Sequence, residues 1–267
     1  MLVIRLIACL TASIAGFWVG WHLSHRYKKM PRLSLGLGFI IGFVVFGQRA
    51  LPANWALRWE EFSYASIGGP VLLAICIPIV GIQAADAISN RLLRLFVLAV
   101  VAVALFQQIW IGLLDSLIAV PELSRLKTHF ASAGICMQTT GYTCGPAAAV
   151  TALARLGYQA QESSIALASE TGRYYGADEF RLAQAMNQTA KGLHCHVADF
   201  RSVDDLRGLP PVIVIINLGA DIAHYIVILK FDGKWAECAD PMAGHIRKPR
   251  EMLERDWTGR GIICDRW

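Results

Sequence analysis

Four long apolar runs occupy residues 2–21, 33–51, 67–85 and 92–114, and a chain so patterned does not read as a single globular domain. Each run approaches the ~20 residues that an α-helix needs to cross a bilayer. They explain why 55% of the whole chain is apolar and only 17% charged, a greasier balance than soluble domains show. The charges divide in the same way. Residues 1–123 hold 9 Lys+Arg and 5 Asp+Glu, whereas residues 124–267 hold 16 and 15. The expected architecture is a multi-span α-helical membrane region of about four helices at residues 1–120, a linker at 121–132 and a folded domain at 133–267.

The first run is interrupted only by Arg5. Phe17, Trp18, Trp21 and His22 stand where a signal peptide would have a small-residue cleavage site, so it reads as a retained anchor. The second is Gly-rich, ends in Gln48-Arg49, and reads as a span or as a re-entrant segment. The third contains Pro70 and Pro78, which membrane helices tolerate better than soluble ones. Arg26, Lys28, Lys29 and Arg32 separate the first two runs, and Arg91 and Arg94 are counted between the third and fourth. Arg49 and Arg58, beside Glu60 and Glu61, lie between the second and third. The positive-inside rule then predicts an integral protein of a bacterial inner membrane, with membrane lipid as a partner and the C-terminal domain extracytoplasmic. The net charge of +5 does not imply nucleic acid, because the basic residues of the first half flank apolar runs.

In the second half the pattern changes from helical to alternating. A helix is predicted from Cys144 through residues 147–156, with Pro146 in its first turn and Gly157 at its stop. Residues 163–170 and 178–187 read as two more helices around a loop at 172–176. Residues 193–199 alternate as a strand, and Ser202 begins a short capped helix with Asp205 three residues on. Residues 212–218 are apolar enough for a central strand. Residues 223–231 and 235–239 form a hairpin about Asp232-Gly233. Helices followed by an antiparallel sheet is an α+β order.

The chemistry concentrates in Gln138-Thr-Thr-Gly-Tyr-Thr-Cys144-Gly-Pro146. A cysteine at a helix start sits where amides and the helix dipole stabilise an anion, and the thiolate is the reactive form. Gln138, six residues ahead, can reach back with its NH2 as an oxyanion donor beside the Cys144 backbone N–H. His224 opens an apolar strand and can take the thiol proton. Asp240 ends the next strand, and the hairpin brings it opposite residues near 224, where it can orient the imidazole. Taken singly, Cys144 also reads as a small packing residue, Gln138 as a solvated loop residue, His224 as an edge histidine and Asp240 as a turn residue before Pro241. The order Gln, Cys, His, Asp is what makes them a set.

These segments, with the stretch 172–186, His224-Tyr-Ile-Val-Ile and Asp240-Pro-Met-Ala-Gly244, resemble the bacteriocin-processing, double-glycine leader peptidases, which are papain-like cysteine peptidases. The resemblance covers about residues 135–264. It implies Cys144 as nucleophile, His224 as base, Asp240 as orienter and Gln138 as oxyanion donor, with a peptide or protein as substrate and no cofactor. Family members are often the first domain of an export ABC transporter. This chain has no GxxxxGK[ST] phosphate loop, so any export machinery is expected to be separate.

Two other function classes use the same residues. An acyl transferase or amidase employs the same triad, since the triad specifies acyl chemistry and not the acyl group. A non-catalytic peptide-binding module would have lost the nucleophile, which is present. His194-Cys195-His196 has the look of a metal cluster, but on a strand only the two histidines share a face, and no metal is expected. Cys136, Cys195, Cys238 and Cys264 are enough for two disulfides of undetermined connectivity.

Overall fold

The computed structural model describes residues 2–26, 68–86, 88–106, 110–219 and 222–266, in two compact units, Met1–Leu114 and Asp115–Trp267. In the first unit, α1 (Leu2–Arg26) packs against α2 (Gly68–Asp86). The close approach runs through glycine. A Cβ on Gly16 would lie 2.5 Å from the Ile75 carbonyl oxygen, and one on Gly20 would lie 3.0 Å from Ile79 Cα. α3 (Arg91–Leu105) starts at Asn90, whose Oδ1 accepts from the Leu92 and Leu93 amides, satisfying two of the donors a helix start leaves open.

Among the described residues, the apolar runs do not become membrane spans: no helix there is long and apolar enough to cross a membrane. The run at 92–114, the cleanest in sequence, begins in α3, which has 15 residues, about 22 Å at 1.5 Å per residue against a hydrocarbon core of ~30 Å, and its residues 107–109 lie outside the described residues. Its remainder enters α4 (Ile111–Leu123), 13 residues long and carrying Asp115 and Glu122. α2 has 19 residues with Pro78 inside and Asp86 at its end. α1 has 25 residues, but its sequence includes Arg5 and closes on Ser24-His25-Arg26. The run at 33–51 lies outside the described residues. The multi-span region and an integral-membrane location are therefore corrected, and membrane lipid as a partner loses the spans on which it was expected. The orientation drawn from Lys and Arg falls with them, because that bias has meaning only where spans exist.

The second unit is α+β. β1 (His129–Ala131) and β2 (Ile135–Met137) form a small antiparallel pair. Three helices follow, α5 (Cys144–Arg155), α6 (Glu162–Ala168) and α7 (Glu179–Thr189). The main sheet comprises β3 (Leu193–Asp199), β4 (Val212–Asn217), β5 (Ala223–Phe231), β6 (Trp235–Asp240), β7 (Gly244–Pro249) and β8 (Trp257–Arg266), with α8 (Arg250–Asp256) between the last two strands. Its order is β3-β8-β4-β5-β6-β7, antiparallel throughout. β4 is thus central, as its unbroken apolar run predicts. The Ser202 cap closes a full capping box with Asp205.

Alternation divides the sheet's side chains between two faces. Val212, Val214, Ile216, Ile226 and Ile228 bury against Val203, Leu206 and Leu253. Tyr225, from the other parity, meets Gly145 of α5. β8 lies so close to β4 that a Cβ on Gly261 would stand 2.6 Å from the Ile213 carbonyl oxygen. Gly261→Ala should therefore cost about 1–3 kcal/mol, as overpacking does. A thermal melt reads it as a lowered Tm, and an unchanged Tm would mean that the two strands can part without loss.

Candidate active site

Cys144 is the first residue of α5. Within a helix, the first-turn amides have no carbonyl four residues back to bond, and Pro146 removes one such donor at no cost. The next two positions pack tightly. A Cβ on Gly145 would meet Ala177 Cβ at 3.1 Å, Leu182 at 3.3 Å and Tyr225 at 3.4 Å. That contact seats the start of α5 against α7 and β5.

His224 is buried near the start of β5. Its Nε2 lies 2.9 Å from Asp240 Oδ1, and the Cys144 side chain is close enough to favour its protonated form. A carboxylate only accepts, so Nε2 carries a hydrogen toward Asp240. The β5–β6 register, Val227 opposite Ala239, sets Asp240 diagonally across from His224. Asp240 is itself held, since Oδ1 accepts from the Met242 amide at 2.7 Å and the Ala243 amide at 3.3 Å. Burial alone would push the His224 pKa down. Its bond to Asp240, together with the negative charge that Asp240 and Cys144 place beside the ring, outweighs that and raises it to about 9. Burial would raise Asp240, but the His224 bond and the two amides bring it below the ordinary carboxylate value.

Gln138 reaches the same neighbourhood through its backbone, whose N–H bonds the Pro241 carbonyl at 3.0 Å. Its Nε2 donates to the Thr140 carbonyl at 2.9 Å, and its Oε1 is buried without a partner among the described residues. His224 and Asp240 are thus linked by a hydrogen bond with Cys144 near the imidazole, while Gln138 is tied to the residue after Asp240.

Two supporting acids carried no sequence signal. Glu162, fully buried at the start of α6, accepts from the amide of Thr139 at 2.9 Å and from its hydroxyl, anchoring the loop that leads to Cys144. In sequence it reads as an ordinary first-turn glutamate. Asp115 is the other; only its place within an apolar helix marks it as unusual.

Of the four cysteines whose pairing was open, Cys195 and Cys264 form a disulfide directly across the β3–β8 pair. Cys136 and Cys238 are free and buried, and burial pushes both thiols up to about 12. His194 and His196 share a strand face and stack, their centroids 5.2 Å apart. Among the described residues no group of His, Cys, Asp and Glu could hold a metal ion.

Comparison with known proteins places the second half of the chain. A family model described as the Peptidase C39 family matches residues 132–266. An uncharacterized protein of Methanothermobacter marburgensis is 30% identical over 148 residues, covering 54% of this chain and 97% of its own. One from Methanothermobacter thermautotrophicus is 33% identical over 145 residues, with the same coverage of 54% and 97%. Among solved structures, a double glycine motif protease from an AMS/PCAT transporter, in complex with the leader peptide, is 22% identical at a TM-score of 0.44, covering 54% of this chain and 96% of that one. The peptidase domain of Streptococcus ComA is 20% identical at a TM-score of 0.44, covering 49% and 96%.

Proposed function

This chain belongs to the Peptidase C39 family, and on that premise we propose that residues 132–266 are a cysteine endopeptidase with Cys144 as nucleophile, His224 as base and Asp240 as orienter. The carrying observation is the buried His224–Asp240 pair, with its 2.9 Å Nε2–Oδ1 bond, beside Cys144 at the start of α5. His224 holds the thiol proton and leaves a thiolate paired with an imidazolium. The sulfur attacks the peptide carbonyl carbon, and the carbonyl π electrons move onto oxygen. The oxyanion is received by the Cys144 amide and by Gln138. Gln138 Nε2 has two hydrogens; the Thr140 carbonyl fixes the amide plane through one, leaving the other to donate. Collapse expels the amine, which takes the proton from His224, and leaves a thioester. Water, deprotonated by His224, hydrolyses it and frees the thiolate.

The family also supports a substrate class, peptides cut after paired glycines such as leader peptides, with export left to a separate machine. The test is a pool of fluorogenic peptides ending in Gly-Gly-aminomethylcoumarin with varied preceding residues. Release of the fluorophore by the wild type, with loss after iodoacetamide, is the expected outcome. An intact, alkylatable protein that leaves every peptide uncut would sink the peptidase reading.

The reading also fixes a pH dependence. The leaving amine needs the imidazolium, so kcat/KM should fall as pH rises through about 9. Asp240→Asn removes a charge that favours the protonated ring, so the alkaline limb should move to lower pH. The same shift bears on stability. His224 protonation stabilises the fold fully below its ordinary value of 6.5, and this is lost as pH rises through about 9. An alkaline limb that stays in place in Asp240→Asn would separate Asp240 from the proton chemistry.

A further inference from the structure

We propose that Asp115 is a positioning residue of the peptidase site, and that α4, which precedes the family-matched residues 132–266, serves that site by setting the loop 172–176 beside Cys144; this rests on Cys144 being the nucleophile. Asp115 is buried, and its carboxylate accepts from three successive amides of the loop. Oδ1 takes Arg173 at 3.0 Å and Tyr174 at 3.3 Å, and Oδ2 takes Tyr174 at 3.0 Å and Tyr175 at 3.2 Å. Charge-assisted bonds of this kind are about twice as strong as neutral ones. Gly172 leaves the room, since a Cβ there would fall 2.1 Å from Asp115 Oδ2. The loop closes on itself through Gly172 and Gly176, each amide bonding the other's carbonyl at 2.8 and 3.1 Å.

A second α4 carboxylate joins this loop to the approach to the nucleophile. Glu122 Oε2 accepts from the Tyr142 hydroxyl and from Arg173 Nη2, each at 2.6 Å. Tyr142 is two residues ahead of Cys144, and its carbonyl lies 3.7 Å from where a Gly176 Cβ would stand. The next residue, Ala177, abuts Gly145. Residues 172–177 therefore run alongside residues 142–145. What the loop offers outward is two aromatic side chains, Tyr174 at 85% and Tyr175 at 69% exposure. Aromatic surface so exposed, on a loop so firmly tied and next to the nucleophile, is suited to bind the substrate peptide beside its scissile bond. A misplacement of about 1 Å in such a group costs up to about 10²-fold.

The experiment uses the full chain, the Gly-Gly-aminomethylcoumarin pool and iodoacetamide. In Asp115→Asn, and more so in Asp115→Ala, kcat/KM should fall by up to about 10²-fold, carried by a rise in KM with kcat nearly held. Iodoacetamide should still alkylate Cys144 at the wild-type rate, because α5, His224 and Asp240 are untouched. Gly172→Ala, which displaces the same carboxylate from the loop side, and the pair Tyr174→Ala with Tyr175→Ala should reproduce the KM rise. Unchanged KM in Asp115→Ala overturns the proposal. So does a fall in kcat and alkylation together, which would make Asp115 merely structural. A wild type that neither cleaves nor is alkylated at Cys144 overturns the peptidase reading and this one with it, and is distinguished from the other results by the wild-type lane alone.

Discussion

Cys144→Ala should reduce peptide cleavage by about four orders of magnitude or more, to the assay's floor, while the protein keeps its fold. Removing the nucleophile of a catalytic unit costs on that scale, because no other group can form the acyl intermediate. The substitution removes one sulfur at the start of α5, a half-buried position, and alanine is the best helix former. The melting temperature should therefore stay close to wild type. Because Cys144 and His224 act as one unit, the double variant with His224→Ala should be no slower than Cys144→Ala alone. Stopped assays on the fluorogenic pool, with circular dichroism as the fold control, measure both. Appreciable turnover in purified Cys144→Ala would remove this residue from the mechanism.

The second large effect is expected at Gln138. Losing one oxyanion donor typically lowers kcat about 10²–10³-fold with little change in KM, and Gln138→Ala should behave so. Gln138→Glu is the sharper probe. It replaces the donating NH2 with an oxygen that would face the Thr140 carbonyl now 2.9 Å from Nε2, and would oppose a developing negative charge instead of stabilising it. It should be at least as slow as the alanine variant. If kcat is kept and KM rises, Gln138 binds substrate instead.

What was legible in the sequence was local. Pro146 and the Ala-rich run behind Cys144 specify α5 by short-range rules, and Ser202 with Asp205 specifies the cap of the short helix Val203–Leu206. The Asp232-Gly233 turn fixes the β5–β6 hairpin closely enough to bring His224 and Asp240 within one hydrogen bond. What was not legible depends on residues far apart in the chain. β7, α8 and β8 went unread: β8 contains Gly259 and Gly261 and has only a short apolar stretch, and its need for glycine comes from the Ile213 carbonyl of another strand. The Cys195–Cys264 pairing follows from β3 and β8 being neighbours, which no spacing rule supplies. The membrane expectation failed because an apolar run in sequence does not report the length and apolarity of the helix it forms, and among the described residues no helix is long and apolar enough to cross a membrane. Asp115 was hidden for the same reason as the disulfide, as its loop partners begin 58 residues away.

The strand order has a kinetic consequence. β8 is the last strand in chain order, yet it lies between β3 and β4. Until residues 257–266 are in place, β3 has no neighbour and β4 presents an open edge of unpaired amides and carbonyls beside an apolar surface. Such an edge invites pairing with other chains, and contacts this distant in sequence form slowly. As the polypeptide leaves the ribosome, the hairpins from β4 to β7 can assemble early. The sheet as a whole must wait for its final segment to thread into the middle, and during that interval the nascent domain is at its most exposed to aggregation.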